Sequence, residues 1–248
     1  MSKPTSIFLA GVRLDNISLN EVVSEVETMI SEHRHGLVAT INAEFIVEAQ
    51  ANRPYRELIN SAALALPDGS GATILARLRG TPLQERIPGV DLAERLVKEA
   101  ADRGWRIFLL GGAGEAARRA AAVWTSRYPD LQIAGVNNGS SKPEAAHALA
   151  KEILASEADI VFVAFSYPRQ ELWIGENLEA TGASIGIGLG GTFDYVAGIR
   201  KRAPKLWRRL GLEWLYRLVT QPWRYRRMVA VPHLVWLVLR YGSKPSRP

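Results

Sequence analysis

The first 199 residues alternate short apolar runs with stretches of helical periodicity. A capping box at residues 18–21 precedes the first helical stretch, whose apolar residues at 22, 26, 29 and 30 share one face. Buried strands are predicted at 36–41, 106–110, 131–136, 160–165 and 184–189. Helical patterns lie near 43–52, 55–64, 115–127, 143–156 and 169–181, and further ones begin at Gly69 and Val90. This alternation predicts an α/β fold whose parallel sheet carries helices on both faces.

The last fifth of the chain differs from the rest in charge. Residues 200–248 contain 13 Lys and Arg but one acid, Glu213, which makes their net charge +12, whereas residues 1–199 carry −6. Four of the seven tryptophans also lie in this segment. We therefore expect a core domain at 1–199 and a basic, aromatic appendage at 200–248. Such an appendage is typical of contact with a polyanion, either nucleic acid or anionic lipid.

The appendage carries an amphipathic helical pattern. Charged residues at 205, 209, 213 and 217 lie beside apolar residues at 206, 210, 214 and 218. The apolar run at 228–239 is broken by Pro232 and is too short to span a bilayer. Arg and Trp beside an apolar run favour the surface of an anionic membrane. The alternative is a helix that docks on its own domain and keeps a solvated basic face.

Composition excludes several kinds of chemistry. The chain has no cysteine, so it has neither disulfides nor a thiolate nucleophile, and its four histidines form no His-x-x-x-His pair of the kind found in zinc hydrolases. It also lacks the Asp-x-Asp pair with which many sugar-nucleotide enzymes hold a divalent ion. A mechanism without metal or cofactor is the simplest expectation. Because no apolar signal core follows the N-terminus, we expect a cytoplasmic location.

Two glycine-rich loops follow predicted strands. Residues 111–114 read Gly-Gly-Ala-Gly before a helix, and residues 186–191 lead to Asp194. Backbone N–H groups at such turns favour a phosphate-bearing ligand, although each loop also fits a tight strand-to-helix turn. The full dinucleotide fingerprint and its later acidic residue are missing, which argues against a nicotinamide-dependent oxidoreductase.

Asp68 lies in Pro-Asp-Gly-Ser-Gly at 67–71, between an apolar stretch and a helix. A partly desolvated aspartate at this place would serve as a general base, since burial raises a carboxyl pKa. The alternative is structural, because Pro-Asp-Gly also forms turns and Asp caps helices.

Taken together, these motifs resemble the WecG/TagA/CpsF family of bacterial glycosyltransferases. Each motif is weak alone, but the set is ordered and covers about residues 7 to 227. The matching segments are 40–44 (Thr-Ile-Asn-Ala-Glu), 67–71, 86–91 (Arg-Ile-Pro-Gly-Val-Asp), 108–112 (Phe-Leu-Leu-Gly-Gly), 168–171 (Pro-Arg-Gln-Glu), 190–194 (Gly-Gly-Thr-Phe-Asp), 202–204, 211–217 and 222–227.

The resemblance implies a Rossmann-like, inverting, metal-independent transferase without a cofactor. Its expected reaction moves a hexose or N-acetylhexosamine from a UDP-sugar to a polyprenyl-diphosphate-linked sugar, in cell-surface polysaccharide or teichoic-acid-type biosynthesis. The expected location is peripheral, at the inner face of the cytoplasmic membrane, with an anionic membrane surface and no nucleic acid as partner. Self-association into a homo-oligomer is a further expectation.

The resemblance also implies roles for particular residues. Asp68 matches the proposed general base, and the arginines at 217, 224 and 227 match tail residues that reach the diphosphate. We expect the appendage to fold over the ligand edge of the sheet. The full set expected to bind substrate is Thr40, Asn42, Arg86, Gly111, Gly112, Gln170, Gly191, Asp194, Arg217, Arg224 and Arg227.

Two segments depart from the family pattern. Residues 164–171 read Ala-Phe-Ser-Tyr-Pro-Arg-Gln-Glu, where many relatives carry Gly-x-Gly-x-Pro-Lys-Gln-Glu, and Ser-Ser-Lys follows Gly139 in place of an aromatic pair. Because of these departures, the sequence does not determine which hexose is the donor. It also does not determine the acceptor sugar, the linkage or the oligomeric state. The alternative function is a non-catalytic module that binds anionic lipid or nucleic acid. It accounts for the basic appendage but not for the ordered motifs of the acidic core.

Overall fold

The computed structural model describes residues 4–204, 206–207, 213–220 and 229–244. A two-stranded antiparallel hairpin of β1 (Ser6–Leu9) and β2 (Val12–Asp15) comes first. Six parallel strands then form the main sheet, in the order β4-β3-β8-β7-β5-β6. They are β3 (Gly36–Ile41), β4 (Leu64–Pro67), β5 (Arg106–Gly111), β6 (Gln132–Asn137), β7 (Ile160–Ala164) and β8 (Ile185–Gly188). The predicted α/β fold with a parallel sheet is confirmed.

Helices cover both faces of the main sheet, as parallel strands require. Their bounds are α1 (Leu19–Ser31), α2 (Ala43–Ala51), α3 (Arg53–Ser61), α4 (Ser70–Leu78), α5 (Gly89–Arg103), α6 (Ala116–Arg127), α7 (Pro143–Ser156), α8 (Arg169–Asn177), α9 (Thr192–Val196), α10 (Glu213–Thr220) and α11 (Ala230–Tyr241). The predicted capping box is present, since Ser18 and Glu21 exchange hydrogen bonds at the start of α1.

The core consists of two apolar layers, one on each side of the sheet. Strand side chains alternate between them: Phe108 and Leu110 of β5 face one layer, and Ile107 and Leu109 face the other. The first layer packs against α2, α3, α4, α7, α8 and α11, and the second against α1, α5, α6 and α9.

Two local features differ from the sequence predictions. The hairpin of β1 and β2 was not predicted, and Leu64–Pro67 forms a strand where the predicted helix reached residue 64. Pro232, which interrupts the apolar run at 228–239, does not interrupt helix α11. Pro232 lies in the first turn of this helix, where a backbone N–H has no acceptor within the helix and its loss costs little.

The end of the appendage docks on the core. Leu234, Leu237 and Val238 of α11 are buried, and the helix packs against α2 and α4. After the helix, the carbonyl of Gly242 accepts a hydrogen bond of 2.9 Å from the N–H of Ala10 in the hairpin. Helix α11 thereby becomes one wall beside the carboxyl end of β4. Every helix within the described ranges is too short or too polar to cross a bilayer.

Candidate active site

A cavity of about 120 Å³ opens at the carboxyl ends of β3, β4, β7 and β8. Ligands of parallel α/β sheets bind at this edge, because the loops that leave the strands meet there. We call it the polar cavity, since hydroxyl, amide, carboxylate and guanidinium groups and glycine backbone form most of its wall. Its lining residues are Thr40, Asn42, Phe45, Asp68, residues 88–90, Ser166, Tyr167, Gln170, residues 188–192, Tyr195 and Arg200.

A second cavity, of about 350 Å³, lies between α2, α4, α10 and α11. We call it the apolar cavity, because most of its side chains are aliphatic or aromatic. Trp214 of α10 and Val231 and Val235 of α11 belong to the appendage, so the appendage supplies one wall. The other lining residues are 42–44, 68–71, Ile74, Leu75, Leu78, Arg86 and Glu213.

Asn42 and Asp68 line both cavities. Asn42 caps α2, and its Oδ1 accepts a hydrogen bond of 2.9 Å from the N–H of Glu44. Among the residues that the structure describes, its Nδ2 donates no hydrogen bond, which leaves this group for a ligand. The N–H of Asp68 donates a hydrogen bond of 2.9 Å to the carbonyl of Ile41, which holds the two residues side by side.

Gln170 and Glu171 form a buried polar chain behind the polar cavity. Gln170 Nε2 donates a hydrogen bond of 2.7 Å to Glu171 Oε1, and Gln170 Oε1 accepts one of 3.0 Å from the N–H of Gly190. A Cβ atom on Gly188 would lie 2.4 Å from that carboxylate oxygen, so only glycine allows this approach. These hydrogen bonds fix the orientation of the Gln170 side-chain amide at the point where it reaches the polar cavity.

Burial raises the pKa of Glu171 to about 7, while the hydrogen bond from Gln170 acts in the opposite direction. The same burial, together with the nearby carboxylate of Glu171, raises the pKa of Tyr55. Glu171 therefore titrates near neutral pH although it lies behind the cavity wall.

A cluster of charges ties α10 to the core beside the apolar cavity. Arg202 donates two hydrogen bonds, of 2.5 and 2.8 Å, to the carboxylate of Asp91 at the start of α5. The buried carboxylate of Glu213 lies 3.9 Å from both Arg202 Nε and Arg86 Nη1. The one acid of the basic appendage thus pairs with cations near Asp68.

The loop after β7 contributes Ser166 and Tyr167 to the polar cavity. Ser166 has φ +67°, in the left-handed region where an L side chain costs about 1–2 kcal/mol. The family pattern expected from the sequence has glycine here, and Ser166 adopts the backbone shape typical of glycine at this energetic cost. The Tyr167 ring stacks on Phe45 with 5.5 Å between ring centroids.

The structure brings five predicted residues together at the polar cavity: Thr40, Asn42, Asp68, Gln170 and Gly191. Arg86 lines the apolar cavity instead. Asp194 is not part of either wall, and its Oδ2 lies 3.1 Å from Arg200 Nε.

Gly111 and Gly112 lie outside both walls and form a strand-to-helix turn. The N–H of Gly112 bonds to the carbonyl of Ala164 at 3.0 Å, and a Cβ on Gly111 would lie 2.9 Å from the same carbonyl. Arg224 and Arg227 lie outside the described residues, as does the side chain of Arg217. The substrate contacts of these five residues stay predictions, as do those of the predicted residues that line the cavities.

Sequence reasoning missed Arg200, Tyr195 and Glu171. Nothing in the local pattern separates Arg200 from the other basic residues of the appendage, and Glu171 follows Arg169 and Gln170 in a segment that looks solvated. Within the described ranges, no group of three His, Asp or Glu side chains is arranged to hold a metal ion.

Comparison with known proteins decides the family. A family model described as "Glycosyl transferase WecG/TagA/CpsF family" matches residues 7–248. The chain belongs to the WecG/TagA/CpsF family of glycosyltransferases. It is therefore an enzyme that transfers a sugar, and the resemblance drawn from the motifs is confirmed.

Two members of this family illustrate the similarity. One, from Bacillus spizizenii strain W23, is 36% identical over 231 residues, which cover 93% of this chain and 89% of the relative. Another, from Bacillus subtilis strain 168, is 35% identical over 226 residues, covering 91% of this chain and 88% of the relative. Both are named N-acetylglucosaminyldiphosphoundecaprenol N-acetyl-beta-D-mannosaminyltransferase.

The raised pKa of Glu171 predicts a specific dependence of stability on pH. Between its ordinary value of 4.5 and about 7, this carboxyl is protonated in the folded protein and ionised in the unfolded chain. The free energy of unfolding should therefore decrease as the pH rises from 5 to 7, by up to about 1.4 kcal/mol per unit from this group.

We expect Glu171→Gln to remove this decrease, because the amide keeps the acceptor for Gln170 without titrating. Urea unfolding at pH 5, 6 and 7 measures the difference from the wild type. Glu176→Gln, exposed on the same helix, is the matched control and should leave the slope unchanged. A Glu171→Gln difference that stays constant across these pH values would contradict the assignment.

Proposed function

We propose that this protein is an inverting, metal-independent glycosyltransferase that moves a hexose or N-acetylhexosamine from a UDP-sugar to a polyprenyl-diphosphate-linked sugar. The observation that carries the proposal is the position of Asp68, which lines both the polar and the apolar cavity. A direct displacement needs one base between donor and acceptor. A residue shared by two cavities of different polarity meets this requirement.

The polar cavity suits the donor. Thr40, Asn42 and Gln170 bring hydroxyl and amide groups for a sugar, and Gly191 leaves backbone open to a ligand. The cavity encloses only part of a nucleotide sugar, so the remainder of the donor lies along its rim. The changed loop at Ser166 and Tyr167 belongs to this wall, and it is where the choice of donor sugar is set.

The apolar cavity suits the acceptor. The two Bacillus relatives are named for an acceptor in which a sugar diphosphate is joined to undecaprenol, an amphiphile with a long hydrocarbon chain. Ile74, Leu78 and Trp214 offer apolar surface for such a chain, and Arg86 at the same cavity offers charge for its diphosphate. The acceptor hydroxyl then approaches Asp68 from the side opposite the donor.

Asp68 removes the proton from the acceptor hydroxyl as its oxygen attacks C1 of the donor sugar. The bond from C1 to the UDP oxygen breaks as the new glycosidic bond forms on the opposite face. Negative charge grows on the departing UDP and needs nearby cations. Arginines supply this charge without a metal, and the sequence offers no Asp-x-Asp pair to hold one.

The appendage joins this reaction to the membrane. Its excess of basic residues attracts an anionic bilayer, on the order of 1 kcal/mol for each base near the surface. The acidic core ends at residue 199, and the segment after it contacts the lipid. This segment also contains Arg217, Arg224 and Arg227, which bind the diphosphate. The enzyme acts as a peripheral protein at the inner face of the cytoplasmic membrane.

Asp68→Asn tests the catalytic assignment. We expect turnover to fall by about two to four orders of magnitude, the usual contribution of a general base, with UDP affinity unchanged. Product mass after incubation with a UDP-sugar and a short-chain polyprenyl-diphosphate sugar measures turnover. Asp102→Asn, on the exposed face of α5, is the matched control and should retain full activity. Wild-type turnover in Asp68→Asn would remove this residue from the mechanism.

Ile74→Asn tests the acceptor assignment. Loss of one apolar contact weakens binding by about 1–2 kcal/mol, so we expect the KM for the lipid acceptor to rise about ten-fold at an unchanged donor KM. Ile199→Asn is the matched control, because Ile74 and Ile199 are similarly exposed, at 53% and 49%, and Ile199 lines neither cavity. Equal acceptor KM values for the two variants would refute the assignment.

A further inference from the structure

Arg200 is the cation in the wall of the polar cavity, as far as the structure describes that wall. Its side chain is 41% exposed, which places the guanidinium at the rim instead of the floor. Arg86 lines the other cavity, and Arg202 is engaged with Asp91. Arg200 therefore differs from its basic neighbours in facing the space assigned to the donor.

Asp194 holds Arg200 from one side. Its Oδ2 lies 3.1 Å from Arg200 Nε, and the N–H of Arg200 donates a hydrogen bond of 3.0 Å to the Asp194 carbonyl. Asp194 is the less exposed partner, with 15% of its side chain accessible. The side chain and backbone of Asp194 thus fix the arginine to α9.

The far end of the guanidinium remains available. Among the described residues, neither Nη1 nor Nη2 of Arg200 has a hydrogen-bond partner. Two Nη groups form a planar fork whose geometry matches two oxygens of a phosphate. The guanidinium of Arg200 pairs with Asp194 through Nε, and its two Nη groups can donate hydrogen bonds to an anionic ligand.

We propose that Arg200 binds the diphosphate of the nucleotide-sugar donor and stabilises the charge that develops as the nucleoside diphosphate departs. This inference rests on the proposed function, since it assumes that the donor occupies the polar cavity. Asp194 acts as a positioning residue, orienting Arg200 through Nε without touching the substrate. That role explains why a carboxylate lies close to a site for an anion: it contacts the cation and not the ligand.

Arg200, which lines the polar cavity, thus stabilises the negative charge of the departing nucleoside diphosphate. The arginines at 217, 224 and 227 would then bind the acceptor diphosphate and the membrane surface. The two diphosphates are then bound by different arginines.

Binding of UDP and of uridine separates the diphosphate contact from nucleoside recognition. We expect Arg200→Gln to weaken UDP binding by about 10- to 100-fold, the loss of a charge-assisted hydrogen-bond pair, while uridine binding is unchanged. Titration calorimetry measures UDP, and ligand-observed NMR measures the weaker uridine. Arg118→Gln on α6, where the side chain is 68% exposed, is the matched control and should bind UDP as the wild type does.

Two further variants test the geometry. Arg200→Lys keeps the charge but loses the fork, so its UDP affinity should fall between those of wild type and Arg200→Gln. Asp194→Asn should weaken UDP binding less than Arg200→Gln, because it loosens the arginine without removing it. Tighter UDP binding in Asp194→Asn would show that the carboxylate opposes the ligand directly, and would overturn its positioning role.

The outcomes distinguish this inference from the proposed function. If the wild type binds UDP and Arg200→Gln binds it equally well, the role of Arg200 is wrong and the donor assignment stands. If Arg200→Gln loses uridine along with UDP, the residue supports the fold of the cavity and the diphosphate contact is refuted. If the wild type binds no UDP, the proposed donor fails and the inference falls with it.

Discussion

The parallel pairing of β3 with β4 determines the position of Asn42 and Asp68, which line both cavities. Their register aligns Ile41 with Pro67, and the N–H of Asp68 continues the ladder by bonding to the Ile41 carbonyl. Asn42 and Asp68 therefore leave the sheet side by side, one starting α2 and the other preceding α4. Both residues line the polar cavity and the apolar cavity. A slip of one residue in either strand would turn the side chains of that strand to the opposite face and separate Asn42 from Asp68.

The appendage supplies one wall of the apolar cavity. Trp214, Val231 and Val235 close the apolar cavity on the side away from the sheet. Docking of α11 on α2 and α4 buries three of its apolar residues, and Glu213 of α10 lies 3.9 Å from Arg86 of the core and from Arg202 of the appendage. A single acid in a basic segment has a clear physical reason at this place. It lets α10 lie beside Arg86 and Arg202 without leaving a buried charge unpaired.

Local patterns were sufficient for the parallel sheet and for the position of Asp68 at its carboxyl edge, but not for the contacts between distant segments. Strand β4 escaped prediction because four residues that end in proline show no clear period, although its lack of alternation is what a strand buried on both faces requires. Glu171 looks solvated until α8 is packed on the sheet. Arg200 resembles any base of the appendage until folding aims it at the cavity. In both cases tertiary packing determines the environment of the side chain, and a single sequence does not show that packing.

The central claim is that one carboxylate between two cavities directs a single displacement at the donor carbon. The stereochemistry of the first product tests it most directly, through the one-bond carbon–proton coupling at the new anomeric centre. With an α-linked UDP-sugar as donor, the account predicts a β-linked product. A product that retains the α configuration would contradict it, since retention requires a second nucleophile or attack from the leaving-group side.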